Sequence, residues 1–369
     1  MILRRTPAAA LLLGLLACAS PFVDSDRPRF RVGTERGDAF AHHPGGAERL
    51  AEEWRSAAAH IEDALPDVRR VPPIEIWLQR PDEIPDPFGL GQPMGGVTFL
   101  VGGRPVKIHV PDSDEFLWVL GHELTHAAVD VSPAWGALPG VLEEGLCEQM
   151  GSRLDPASLP RRWLSVMFEA PPLLGVRGAG LYFPFRVRRE GGRSGYYLGV
   201  FEGGDRRDGW SSEELTERLE AASLDAWPEE RSALERLGFF LVSRIVERQG
   251  IDGLRALCDE AARDGHRTVR AARTLQAAGV DDWSGLRDAL EAASTEDELR
   301  AWLEREPAAL ARWFVGDLRR VIAAYSGTAE MWPEQGYLRA SDRRRRYIGR
   351  DRPVVQEMRA LLDAGTDRP

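Results

Sequence analysis

The segment His122-Glu123-Leu124-Thr125-His126 constrains this chain more than any other. On an α-helix, residues four apart leave the same face, so the His122 and His126 imidazoles can share one zinc ion. Glu123 projects beside them, within reach of a metal-bound water, where a carboxylate serves as general base. The flanking residues suit a helix. Pro111-Asp112-Ser113-Asp114-Glu115 opens it, with Asp112 and Glu115 at capping-box spacing. The helix is expected over about 113–130, where Leu117, Leu120, Leu124, Ala127, Ala128 and Val131 form an apolar face to bury.

A catalytic zinc usually takes three protein ligands and keeps a further position open, so a third ligand is expected from another element. A second helix is predicted over about 139–154, with Pro139 suited to its first turn. It carries Glu143, Glu144 and Glu148. Glu144 and Glu148 are four apart and share a face, whereas Glu143 lies about 100° around the helix from Glu144. Glu144 and Glu148 turned to the histidines would supply one ligand and one acid able to orient a histidine. Asp130 shares the His126 face, but ligands on three successive turns diverge around a small ion.

The rest of the chain alternates strand and helix signals, then turns helical. Residues 47–65 place Leu50, Trp54, Ala57, Ala58, Ile61 and Leu65 at helical spacing. Residues 74–78 alternate like a strand, and 79–95 form a Pro/Gly-rich loop. Residues 97–101 and 106–110 bracket Gly102-Gly103-Arg104-Pro105, the pattern of a β-hairpin. A second hairpin is expected from 181–188 and 196–201. Helices follow over 212–222, 228–249, 251–264, 267–277, 283–292, 296–304 and 307–325, with capping-box spacing at Ser211/Glu214 and Thr295/Glu298. The order predicts an α+β fold, a small mixed sheet plus the 122–126 helix, with a mostly helical C-terminal half.

His122–His126 followed by Pro139-Gly-Val-Leu-Glu-Glu144-Gly145-Leu146-Cys147-Glu148 resembles the gluzincin metallopeptidases. The nearest likeness is to bacterial peptidase MA-like domains, whose second motif reads roughly Pro-x-Trp-Leu-x-Glu-Gly-Leu-Ala-Glu. The likeness is strong over about 112–150 and weak over about 70–290. It implies a zincin-like catalytic body with one zinc ion on His122, His126 and Glu144, and Glu148 behind them. Val141 and Cys147 depart from the motif, and the tyrosines common near 240–254 in the family are replaced, with Arg244 and Gln249 standing there. The resemblance further implies that Gly96, Val97, Thr98 and Phe99 belong to an edge strand beside the cleft, able to take a peptide as an added strand.

The N-terminus reads as an export signal. Arg4 and Arg5 precede a short apolar run ending in Leu15-Leu16-Ala17-Cys18, which resembles a bacterial lipobox. Cleavage before Cys18 would leave that residue to carry lipid. The expected organisation is a signal peptide at 1–17, a lipidated tether at 18–45, a catalytic domain at 46–290 and a helical extension at 291–369. This places the protein in a bacterial cell envelope, at the outer membrane facing periplasm or surface. A net charge of −10 argues against a nucleic-acid partner. In an oxidising envelope Cys147 and Cys258 could pair; the alternative is two buried free thiols.

The implied activity is peptide-bond hydrolysis. Zinc lowers the pKa of its water, Glu123 takes the proton, and hydroxide attacks a carbonyl polarised by the metal. A donor for the developing oxyanion is also needed, and Tyr182, Tyr196, Tyr197 and His266 are open candidates. Two other functions fit the same residues: a zincin-fold binding or assembly protein of the envelope without turnover, and a zinc hydrolase acting on a non-peptide amide.

Overall fold

The computed structural model describes residues 30–68, 73–80, 83–84, 96–101, 104–189, 194–202, 209–323, 327–331, 337–339, 345–347 and 352–364, with side chains left aside over 184–202 and 317–347. The expected signal peptide at 1–17, Cys18, most of the 79–95 loop and the Gly102-Gly103 turn lie outside the described residues. The architecture is mixed α and β, with a small mixed sheet and a majority of helix. Two units partition the chain. One holds the chain up to Pro139, Leu146–Asp155 and Ile245–Val269, and the other holds Gly140–Gly145, Pro156–Arg244 and the chain from Arg270.

The first unit is built on a five-stranded sheet, β1 (Phe30–Thr34), β2 (Gly37–Ala41), β3 (Ile74–Gln79), β4 (Val97–Val101) and β5 (Arg104–Pro111), in the order β1-β2-β3-β5-β4. The β2/β3 and β3/β5 pairs are parallel, and the β1/β2 and β4/β5 pairs are antiparallel. Helices α1 (Pro44–Ala64) and α2 (Phe116–Asp130) bury Leu50, Trp54, Ile61, Leu120 and Leu124 together with Ile76, Ile108 and Val110 of the strands. Register sorts the two faces. Ala39, Ile76, Ile108 and Thr98 form one row across the sheet, on the helix side. The next row, Phe40, Trp77 and His109, turns the other way, with neighbouring ring centroids 5.3 and 5.6 Å apart. Phe99 joins this ladder, 5.3 Å from His109.

Residues 30–41, expected within the tether at 18–45, form a strand pair, while 18–29 lie outside the described residues. The pair's inward side chains are Ala39 and Ala41, too small to register as a hydrophobic alternation, yet both are buried. Gly37 is required there: its φ is +124°, and a Cβ would stand 2.0 Å from the Ile74 carbonyl oxygen. The Asp112/Glu115 capping box also does not form. Glu115 is the N-cap and no side chain caps the helix there, and Asp112 accepts from Arg49 at 2.7 Å instead.

In the second unit, β6 (Gly180–Arg189) pairs antiparallel with β7 (Ser194–Glu202), β8 (Gly327–Met331) and β9 (Tyr337–Arg339), and β10 (Arg345–Tyr347) follows β9. Helices α4 (Leu159–Glu169), α5 (Ser212–Leu219), α6 (Arg231–Gln249, which runs into the first unit at Ile245), α8 (Ala271–Ala277), α9 (Trp283–Ala293), α10 (Glu296–Arg305), α11 (Pro307–Ala323) and α12 (Pro353–Ala364) complete it, while α7 (Ile251–Arg263) belongs to the first. One buried cluster joins Leu164, Leu181 and Phe183 to Leu299, Phe314 and Val355. The C-terminal helices therefore share a core with α4 and β6, and the packing has no break at 290/291 where an extension was expected. Strands β8–β10 were not expected, and the C-terminal half is otherwise mostly helical among the described residues. The Ser211/Glu214 capping box is present, and the Thr295 side chain caps its helix.

His109 gives the first unit a titration signature. Burial, then the nearby Lys107 charge, pushes its pKa down to about 3, and its Nδ1 bonds Gln79 Oε1. Between pH 6.5 and about 3 the unfolded chain binds a proton that the folded chain refuses, so this group's contribution is fully present above pH 6.5 and is lost as pH falls. Urea unfolding across this window should show His109→Gln losing less stability with acidification than wild type, by up to about 1.4 kcal/mol per pH unit. Parallel pH profiles for the two proteins would refute this assignment.

Candidate metal centre

Helix α2 carries His122 and His126 on consecutive turns, and α3 (Gly140–Leu154) carries Glu144. One nitrogen from each histidine and one Glu144 oxygen all lie within 4.8 Å of one another. Among the described residues this is the single group of three such side chains suited to a metal ion. The two histidine Nε2 atoms are 3.2 Å apart. Ligands about 2.05 Å from a tetrahedral zinc stand about 3.3 Å from each other, so the pair fits zinc with little adjustment. His122 and Glu144 are buried, and His126 is half-buried. An imidazole pair with one carboxylate matches the donor set of open, catalytic zinc sites.

The helices approach closely because of glycine. Gly121 of α2 faces Gly151 of α3: a Cβ on Gly121 would stand 3.1 Å from Gly151 Cα, and one on Gly151 would stand 2.7 Å from the Trp118 carbonyl oxygen. Gly145, next to Glu144, has its own close neighbour, since a Cβ there would come within 2.3 Å of Gly238 backbone on α6. Side chains at these positions would push the ligand-bearing backbone away by overpacking. Pro139 is the N-cap of α3, one position earlier than the first-turn place expected of it.

Glu123 is buried and held from the sheet. Thr98 Oγ1 donates to Glu123 Oε2 at 2.6 Å. Gly96, just before β4, packs against the same side chain: a Cβ there would meet Val119 Cγ1 at 2.5 Å and Glu123 Oε1 at 2.9 Å. Of the four edge-strand residues, Gly96 and Thr98 therefore adjoin Glu123, while Phe99 packs on His109 across the sheet. β4 is at the sheet edge among the described residues.

Of the remaining candidates, Glu148 is buried one turn beyond Glu144 on α3, Glu143 is half-buried, and Asp130 is exposed at the end of α2. Glu143 and Asp130 are outside the metal-suited group. Tyr182 is buried on β6, Tyr196 and Tyr197 are on β7, and His266 is exposed beyond α7, which selects no oxyanion donor. No disulfide joins Cys147 and Cys258, which are two buried thiols, the alternative to their pairing; burial pushes the Cys258 thiol up to about 12.

Arg231 was not foreseen. At the first residue of α6, its Nη2 donates to Glu144 Oε1 at 2.6 Å and its Nε donates to Glu235 Oε1 at 2.8 Å. Asp225 lies 3.7 Å from its Nη1. Burial opposes the charge of the guanidinium, but Glu144, Glu235 and Asp225 outweigh it and raise the pKa above the usual value. The sequence held one clue: a cation at a helix N-terminus opposes the macrodipole and calls for carboxylate partners.

No family model, curated protein or solved structure matches the chain.

Proposed function

We propose that this protein is a zinc metallopeptidase of gluzincin type with a zincin-like catalytic body, tethered by lipid at Cys18 in the envelope of a bacterium. The observation that carries the proposal is the convergence of His122, His126 and Glu144 ligand atoms within 4.8 Å. Glu123, the neighbour of His122 in sequence, adds a buried carboxylate that the edge-strand Thr98 holds in place.

The chain's residues have separable tasks. His122, His126 and Glu144 would hold the ion, and Glu148 is the acid available behind them. Bound zinc would lower the pKa of a water and polarise a substrate carbonyl. Glu123 would accept the water proton and return it to the leaving nitrogen. Thr98 occupies Glu123 Oε2, which leaves Oε1 for proton transfer. An extended peptide would add to β4, where backbone bonds give affinity and alternate side chains give selectivity.

The test is metal analysis of the purified chain together with hydrolysis of an unfolded protein such as reduced casein. About one zinc per chain and chelator-sensitive cleavage are expected. A chain that takes up no zinc overturns the proposal. Stoichiometric zinc without cleavage of casein or of a peptide library transfers the site to the binding-protein function, and cleavage confined to non-peptide amides transfers it to that class of hydrolase.

A further inference from the structure

We infer that Arg231 is a positioning residue for the metal centre, fixing the direction in which the Glu144 carboxylate is presented to the ion. The inference rests on the zinc assignment above and adds to it a residue 87 positions away in sequence.

Three features carry it. First, the guanidinium nitrogens are divided among different carboxylates: Nη2 on Glu144, Nε on Glu235 and Nη1 toward Asp225. A planar fork held at more than one point has little rotational freedom, so it fixes the direction of the Glu144 carboxylate as a single flexible ammonium would not. Second, the Nη2–Oε1 contact is a charge-assisted hydrogen bond of 2.6 Å, a kind strong enough to hold a carboxylate in place. Third, Glu144 is only 8% exposed, so its charge has little solvent to screen it. Without the arginine, Glu144 would share its surroundings with Glu235 and Asp225 uncompensated, and like charges would turn it from its present direction. Hydrogen-bond partners of metal ligands act in this way generally, and their loss costs about 10–100-fold in metal affinity.

An opposing role has the opposite sign. If Arg231 served as a permanent counter-ion in place of a metal, removing it would vacate the site and tighten zinc binding. The experiment compares zinc affinity, by competition with a chromophoric chelator, for the full metal-free chain and for Arg231→Gln and Arg231→Lys, with Co2+ absorption spectra of each. Arg231→Gln is expected to bind zinc about 10–100-fold more weakly and to show an altered Co2+ ligand-field band. Arg231→Lys, which keeps the charge but loses the fork, should fall between. Unchanged affinity and spectrum in Arg231→Gln, or tighter binding, would overturn the role while leaving the zinc site standing. Absence of zinc binding by the wild-type chain would remove both. Should Arg231→Gln fail to fold, Glu235→Gln loosens the same guanidinium from its far side, and the same Co2+ band is expected to shift; an unshifted band would count against the role.

Discussion

Glu144→Ala is expected to lose zinc. Apparent binding energies of four-ligand zinc sites are about 10–16 kcal/mol, so one ligand of such a set is worth about 3–4 kcal/mol, or about two to three orders of magnitude in affinity. His122→Ala and His126→Ala should fall by similar amounts, because each removes one of the atoms that converge within 4.8 Å. Glu143→Ala is the informative control. It deletes an identical charge from the adjacent residue of the same helix, but one outside the metal-suited group. Dialysis against buffered zinc followed by metal quantification should find wild type and Glu143→Ala loaded and the three ligand variants empty. Thermal unfolding gives a second readout, since zinc at about 100 times its Kd should stabilise wild type by about 2.7 kcal/mol and the ligand variants by little. Equal loading of Glu144→Ala and wild type, or loss of zinc from Glu143→Ala, would mean that a different carboxylate completes the site.

What could be read in advance was whatever depends on near neighbours in sequence. The pairing of His122 with His126 follows from helical spacing, and the 100° step between adjacent helix residues keeps Glu143 and Glu144 from both facing them, while the resemblance to the family singled out Glu144. The β4/β5 pairing was visible because its apolar runs bracket a glycine turn. The 30–41 strand pair was not, because its buried side chains are alanines and its key glycine answers to the backbone of Ile74, far along the chain. Strands β8–β10 are three to five residues long, too short for an alternation to stand out, and their pairing with β6 is long-range. The same division runs through the site. The proposed ligands and base are local in origin, whereas the groups bonded to them, Thr98 on Glu123 and Arg231 on Glu144, come from 25 and 87 positions away. No residue periodicity encodes such contacts.

Glu123→Gln separates metal binding from turnover and has the largest expected effect on activity. The amide is close in size to the carboxylate and can still accept from Thr98 Oγ1, so burial and packing against Gly96 should persist. It cannot take up a proton at neutral pH, however. Zinc content should match wild type while hydrolysis of unfolded protein falls about 10²–10⁴-fold, the range general acid–base catalysis commands. Thr98 refines the argument. Its hydroxyl restrains one oxygen of the base, and Thr98→Val removes the donor while keeping a β-branched shape suited to the strand. Its expected signature is a lower kcat with zinc content unchanged, and Thr98→Ser, which restores a hydroxyl at the same place, should recover most of the loss. If Glu123→Gln digests casein at the wild-type rate, the proton is moved by some other group, and the buried carboxylate beside the histidines is a structural partner of Thr98 alone.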